Sequence, residues 1–310
     1  MLPMISIQGI KKMYGDFTAV DGLSFQIHKN EIFGILGPNG AGKTTTINML
    51  CGLLPLTEGK IVFEQTGNRE ARSLIGYCPQ ENIFYPKLTC MEQLIFTGNM
   101  YGISTSILRP RAAELLDKLG LTEKSDVLAS KLSGGMKRRL NICLALIHDP
   151  GILVLDEPEA GLDPQSRLLV RDFIKDFGRE RTVVLTTHNM DEADRLSDRI
   201  AIIDQGKLLL VDTPEKLKST VGDGDTLELV FEHTDENALQ ALKQAMHAEG
   251  LELCREDDVA WVKHANILDK LHYISQCAST CQVKIVEFKL RKNTLEDVFI
   301  HLTGKHLRQQ

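Results

Sequence analysis

Apolar and polar positions alternate over residues 4–9 and 23–28, the period-two pattern of strands with one buried face. Ile32–Leu36 is instead a continuous apolar run, the pattern of a strand buried on both faces. Residues 152–155 and 182–186 read the same way, and residues 44–54 and 165–177 carry the interleaved helices. Strands alternating with helices predict an α/β core with a parallel sheet. Over residues 80–149 the apolar period becomes helical, with Leu115, Leu116, Leu119 and Leu121 expected on one face. A mostly helical insertion in the core is predicted there.

The core is expected to close near residues 217–221, with Gly222-Asp223-Gly224 as a short linker. Beyond it the pattern predicts a strand over 226–231 and an amphipathic helix over 235–249, with Leu239, Leu242 and Met246 inward. Strands follow at 251–253 and 259–262, then a helix marked by Ile267, Leu271, Ile274 and Ala278, then a strand over 283–288. The order βαββαβ is the split-βαβ signature and predicts a small ferredoxin-like domain.

A chain of 310 residues is long enough for one large and one small domain. A hydrophobic content of 43% and a charged content of 25% are those of a globular protein. The net charge of −6 argues against a nucleic-acid-binding surface, which needs clustered lysine and arginine. No apolar run approaches the roughly 20 residues that span a bilayer, and Met1-Leu2-Pro3-Met4 lacks the basic and apolar regions of a secretory leader. A cytoplasmic protein is expected. The 7 cysteines are dispersed and read as buried, reduced thiols. Cys277 and Cys281 stand at helical spacing, but no second ligand pair accompanies them.

The chemistry concentrates in three segments. Gly37-Pro38-Asn39-Gly40-Ala41-Gly42-Lys43-Thr44 lies between the apolar run and a helix, the context of a phosphate-binding loop. Such a loop turns successive backbone N–H groups toward one point at a helix N-terminus. Gly40 and Gly42 permit the backbone angles and the close approach. Lys43 supplies a charge for the β- and γ-phosphates, Thr44 a hydroxyl for Mg²⁺, and Thr45 caps the α-phosphate side. In Ile152-Leu153-Val154-Leu155-Asp156-Glu157, Asp156 ends a buried strand and suits a hard cation. Glu157 is set to address the attacking water as general base or positioning group. Leu132-Ser133-Gly134-Gly135-Met136 offers a second anion site, with a hydroxyl, exposed glycine amides and a helix expected to begin after Gly135. One phosphate loop has little use for a second such site in the same chain, whereas two chains packed head to tail do. Simple N-capping of a helix by Ser133 is the lesser reading. Lys137-Arg138-Arg139 is expected to be a solvated face of that helix.

The phosphate loop, the segment from Leu132 to Leu140 and the Asp156-Glu157 strand end together resemble the nucleotide-binding subunit of an ATP-binding-cassette (ABC) transporter, over roughly residues 4–220. The resemblance implies a P-loop NTPase cassette with a parallel core sheet, an antiparallel edge sheet and a helical insertion. The domains expected are an ATP-binding domain over 1–221, its helical subdomain at about 82–150, and an accessory domain over 222–310. It also implies a homodimer around two ATP with Mg²⁺, held on the inner face of the membrane by a permease subunit. Residue roles follow from it. Tyr14 resembles the aromatic that stacks on adenine, and Gln80 the loop glutamine that senses Mg²⁺ and the γ-phosphate and touches the membrane partner. Asp163 resembles the residue of the loop that links the two sites across the dimer, and His188 the switch histidine at the γ-phosphate. Glu159 departs from the family, which more often has a small polar residue there, and an altered turnover is the expectation. The other eight histidines read as surface or core fillers. Ile83, Phe84 and Tyr85 are candidate contacts for a permease helix, with core packing an equal alternative.

The segment 292–299 resembles the tail of exporter-type cassettes linked to drug and antibiotic resistance, and Thr294 and Asp297 also form a capping-box-like helix start. Export of a small molecule such as a drug, antibiotic or lipid is therefore the first expectation. The alternatives are a soluble non-transport cassette ATPase, or an import or ion-extrusion system. Tandem cassettes, a long coiled coil, zinc-binding cysteines or a basic surface would mark the soluble class, and none is present. A ligand-gated regulatory role for the C-terminal domain is compatible with transport.

Overall fold

The computed structural model describes residues 3–63, 74–220, 225–232, 235–256, 259–264 and 267–304. The chain divides into two compact units, residues 1–214 and 215–309. The expected linker at 222–224 lies outside the described residues.

In the first unit β1 (Pro3–Tyr14) and β2 (Phe17–His28) form a hairpin, and β4 (Glu58–Phe63) pairs with the other edge of β1 to complete an antiparallel sheet. Both hairpin strands run past the stretches that alternate, because register shifts along β1 and β2 break the strict period. A six-stranded sheet runs in the order β5 (Ile75–Cys78), β6 (Ile152–Asp156), β7 (Thr182–Thr187), β3 (Ile32–Leu36), β8 (Arg199–Asp204) and β9 (Lys207–Asp212). All its pairings are parallel except that of β9 with β8.

The all-aliphatic strands are explained by burial on both faces. Ile152, Val154 and Val184 pack with the β1–β2 hairpin and with α1 (Lys43–Leu50). Leu153, Leu155, Val183 and Leu185 pack on the opposite face with the helical insertion. Helix α1 stops four residues before the expected Leu54: Cys51 caps it and Gly52 follows at φ 69°.

The insertion holds α2 (Cys90–Met100), α3 (Thr105–Lys118) and α4 (Gly134–Leu146). Helix α3 ends before Leu119 and Leu121, so the four-leucine stripe is not one helical face. The inner face of α3 is Leu108, Ala112 and Leu116, and Leu119 and Leu121 are buried beyond its end. Helices α5 (Pro164–Gly178) and α6 (Met190–Leu196) complete the unit, and α7 (Pro214–Thr220) crosses the division between the two.

The second unit contains β10 (Asp225–Phe231), α8 (Glu236–His247), β11 (Leu253–Glu256), β12 (Val259–His264), α9 (Leu271–Thr280), β13 (Ile285–Arg291) and α10 (Leu295–Thr303). Its antiparallel sheet has the order β11-β12-β10-β13, the ferredoxin-like arrangement expected of βαββαβ. Leu251 is a buried turn residue and the strand starts at Leu253, where pairing with Val262 begins. Leu239, Leu242 and Met246 face the core, packed with Ile274, Cys277 and Ala278. At α10 the reciprocal Thr294–Asp297 capping box is formed. Five cysteines are buried, but Cys254 is exposed and Cys281 half-buried.

Candidate functional site

The loop after β3 turns into α1 through Gly40 at φ 82° and Gly42 at φ 98°, angles that side chains other than glycine rarely adopt. Gly42 also abuts the backbone: a β-carbon there would lie 2.6 Å from the Ala19 carbonyl oxygen. Gly37 is tighter still, at 2.2 Å from the Ile203 carbonyl. Its need for glycine is one of close approach and not of φ, so the spacing pattern gave no separate hint of it. Lys43, 6% exposed, donates to the carbonyls of Gly37 at 2.9 Å and Pro38 at 3.1 Å. Its ammonium lies 3.6 Å from the Glu157 carboxylate. Burial lowers its pKa, while the charges of Glu157 and Asp156 oppose that shift. Thr44 is exposed and Thr45 half-buried at the start of α1.

Asp156 ends β6, fully buried. One of its carboxylate oxygens accepts from the Thr186 hydroxyl, and the other, Oδ2, has no hydrogen-bond partner among the described residues. A buried carboxylate oxygen left unbonded by protein suits a hard cation and its water shell. Glu157 follows at φ 50°, in the left-handed region, a conformation that persists only where the surroundings over-determine it. Its N–H donates to the Thr186 carbonyl and hydroxyl, both at 3.1 Å. Its carboxylate accepts from His188 Nδ1, with oxygens at 2.8 and 2.9 Å. A carboxylate only accepts, so Nδ1 carries the proton and the tautomer is set. Lys43, Asp156, Glu157 and His188 therefore form one connected group at the ends of β6 and β7.

The basic run after the glycine pair is not a solvated face. Arg138 and Arg139 are buried, at 3% and 7% exposure. They lie four and three residues before Ile142, on the inward side of α4, a helical period present in the sequence but masked by the charge of the run. Arg138 donates to the carbonyls of Pro79, Gln80, Asp156, Glu157 and Pro158. Arg139 donates to those of Leu119 and Gly120, where α3 ends. Gln80, itself exposed, is thus joined through its backbone to the Asp156–Glu157 strand end.

Helix α4 starts at Gly134, two residues earlier than expected, with Ser133 as N-cap accepting from the Met136 N–H at 3.3 Å. Capping and anion contact both use the Ser133 oxygen, so the two readings of this serine are compatible. Asp163 caps α5, accepting from the Ser166 N–H at 2.9 Å. That bond holds its carboxyl below the usual range. A β-carbon on Gly135 would lie 3.0 Å from Asp163 Oδ2 and 2.6 Å from Ser166 Oγ, so Gly135 and the Asp163 turn pack as a second group, whereas Gly134 has open space beside it. Leu132 is buried beside it. Tyr14, at the end of β1, is 51% exposed, with the Lys12 ammonium 5.3 Å from its ring centre. It shares no bond with either group.

Glu159 is buried and held by Arg171 at 3.0 and 2.7 Å, with Arg167 at 3.7 Å. Its charge is paired on the side of α5, which accounts for its tolerance next to the strand end. A further acid was missed: Glu192, on α6, is buried against the Thr187 hydroxyl at 2.5 Å, and burial raises its pKa to about 7. Beside Gln80, a cavity of about 690 Å³ is lined by Tyr77, Pro79, Ile83, Phe84, Tyr85, Tyr101 and His148 among others. The His148 ring stacks on Tyr101 at 4.0 Å between centres, so this histidine shapes the groove. Among the described residues no helix is long and apolar enough to cross a membrane, and no cluster of three His, Cys, Asp or Glu side chains forms a metal site.

Comparison with known proteins gives a consistent result. A family model described as "ABC transporter" matches residues 20–160. The chain is 38% identical over 315 residues to the linearmycin resistance ATP-binding protein LnrL of Bacillus subtilis (strain 168), covering 98% of this chain and 100% of the relative. It is 36% identical over 313 residues to the Nod factor export ATP-binding protein I of Ralstonia nicotianae, covering 99% and 95%. Among solved structures it is similar to an ATP-binding subunit of an ABC transporter, with TM-score 0.64, 26% identity and coverage of 71% of this chain and 93% of the other. A dimeric bacterial ABC transporter cassette matches with TM-score 0.62 and 27% identity, over 68% of this chain and 98% of the other.

Proposed function

The chain belongs to the ATP-binding subunits of ABC transporters, and we propose that two copies close on two ATP, each nucleotide gripped by the glycine loop of one copy and by Ser133, Gly134 and Gly135 of the other. It is an ATPase of the exporter type. The observation that carries the site assignment is the connected group of Lys43, Asp156, Glu157 and His188 at the carboxyl ends of adjacent strands.

In this reading the amides of residues 37–45 and the Lys43 ammonium hold the phosphates, and Tyr14 stacks on the base. Thr44, Asp156 and Gln80 would hold Mg²⁺, which supplies charge neutralisation on the phosphates. The oxygen-only donor set and the unbonded Asp156 Oδ2 fit that ion. Glu157 orients and deprotonates the attacking water, and His188 fixes the Glu157 carboxylate while reaching the γ-phosphate. Asp163 connects the two sites across the dimer. Its cap on α5 and its closeness to Gly135 join the Ser133–Gly135 segment to the start of α5.

The partner is a permease, one helix of which sits in the groove beside Gln80, and the chain is peripheral on the inner face of the membrane through it. The groove's aromatic lining supports an apolar helix as occupant. The relatives named for linearmycin resistance and Nod factor export support export of a small molecule such as a drug, antibiotic or lipid. Residues 1–221 form the ATP-binding domain, and 222–310 an accessory domain that steadies the dimer or the partner. The test is Glu157→Gln. ATP binding is retained, turnover falls by about 10²–10⁴-fold, and a dimer accumulates with ATP and Mg²⁺; normal turnover would contradict the assignment.

A further inference from the structure

The Arg138 guanidinium has five N–H donors in a fixed fork, and all five are used on main-chain carbonyls. Nε donates to Pro158 at 3.4 Å, Nη1 to Pro79 and Gln80, the latter at 3.3 Å, and Nη2 to Asp156 at 2.5 Å and Glu157 at 3.1 Å. These carbonyls belong to two segments far apart in sequence, one leading into Gln80 and the other running through the strand end. The Glu157 peptide is held on both sides: its N–H by Thr186, its carbonyl by Arg138. That double hold accounts for a non-glycine residue resting at φ 50°. One turn further along α4, Asn141 accepts from the Ile83 N–H at 2.8 Å, and the Lys137 ammonium lies 5.4 Å from the Phe84 ring centre. The helix that carries Arg138 thus also supports the wall of the groove.

We propose that Arg138 is a positioning residue for ATP hydrolysis, which fixes the Gln80 segment and the Glu157 strand end at one spacing so that they act as a unit. It acts through Glu157 and touches no nucleotide, and it rests on the reading of Glu157 and Gln80 given above. A buried guanidinium whose sole task was packing would serve equally well on any carbonyls. Arg139 does so at the end of α3, on Leu119 and Gly120, away from both segments. The neighbouring pair supplies its own control.

The experiment compares Arg138→Met, Arg138→Lys, Arg139→Met and Glu157→Gln in the full-length chain, measuring kcat, KM for ATP and melting temperature for each. Both methionine variants lose a buried guanidinium and melt lower. Arg138→Met lowers kcat by about 10–100-fold, the scale of a misplaced reacting group, with KM for ATP within about twofold. Arg138→Lys, with three donors for five carbonyls, falls between it and the parent. Arg139→Met keeps kcat within about twofold. Parent-like kcat in Arg138→Met, or equal kcat losses in both methionine variants, overturns the proposal. If Arg138→Met does not fold, a parent-like kcat in Arg138→Lys overturns it as well. Should Glu157→Gln itself keep normal turnover, the reading of the site has failed. A dead Glu157→Gln beside a fully active Arg138→Met refutes the positioning role alone.

Discussion

Residues 1–214 bury Lys43, Arg138, Arg139, Asp156, Glu157, Glu159 and Glu192, whereas the described part of residues 215–309 buries one polar side chain, Thr226. Burying charge is expensive unless each group is paired or bonded. The first unit meets that requirement with carbonyl ladders around Arg138, a two-armed Arg171–Glu159 pair and the Lys43–Glu157–His188 group. The second unit rests on aliphatic packing between one sheet face and two helices. The chemistry proposed above belongs to the unit that keeps charge inside. The two should therefore respond to different perturbations.

The largest effect expected from this contrast is on the second unit. Leu242→Ala empties a fully buried position on α8 and should destabilise that unit by about 2–5 kcal/mol. The chain has 1 tryptophan, Trp261 on β12, so its fluorescence follows that unit in a denaturant titration. ATP affinity should not change, and a loss of affinity would break the separation drawn here.

A comparable effect, confined to the first unit, is expected from Glu192. Its pKa stands at about 7 against an ordinary 4.5, because burial disfavours the charged form. Between those values the native chain keeps a proton that the unfolded chain has released. The contribution of this group is therefore intact below the unfolded value and is lost as pH rises through about 7, a change of about 3 kcal/mol. Glu192→Gln should flatten the fall in stability between pH 5 and 8, followed by far-ultraviolet circular dichroism. Identical slopes for parent and variant would contradict the assigned cause. The smallest effect is at the α10 cap, where Thr294→Ala should cost about 1 kcal/mol of the second unit's stability, read again from Trp261.

The same contrast explains what the sequence made legible. The parallel strands and the phosphate loop were readable because aliphatic runs and glycine spacing are dictated by backbone burial and backbone angles, which act locally. Asp156, Glu157 and His188 were readable because they sit at strand ends. Arg138 was not, because charge in a basic run looks solvated until the carbonyls that receive it are brought in from residues 79–80 and 156–158. Glu159 looked like a perturbation of turnover for the same reason: its partner Arg171 lies on the helix that follows. In the second unit the βαββαβ order was legible. The slip of β11 from 251 to 253 reflects pairing with β12, which no local pattern encodes.

The shared-site scheme is tested most directly by mixing two inactive chains. A bulky replacement, Ser133→Trp, leaves one copy able to hold nucleotide in its own loop, and Lys43→Ala leaves the other able to offer its Ser133–Gly135 segment. Each alone should be inactive, and an equal mixture should recover up to about a quarter of the parent ATPase rate, since half of randomly paired twofold dimers are mixed and each holds one intact site. A mixture as inactive as its components, or a chain carrying both changes that hydrolyses ATP at the full rate, would contradict a nucleotide shared between two copies.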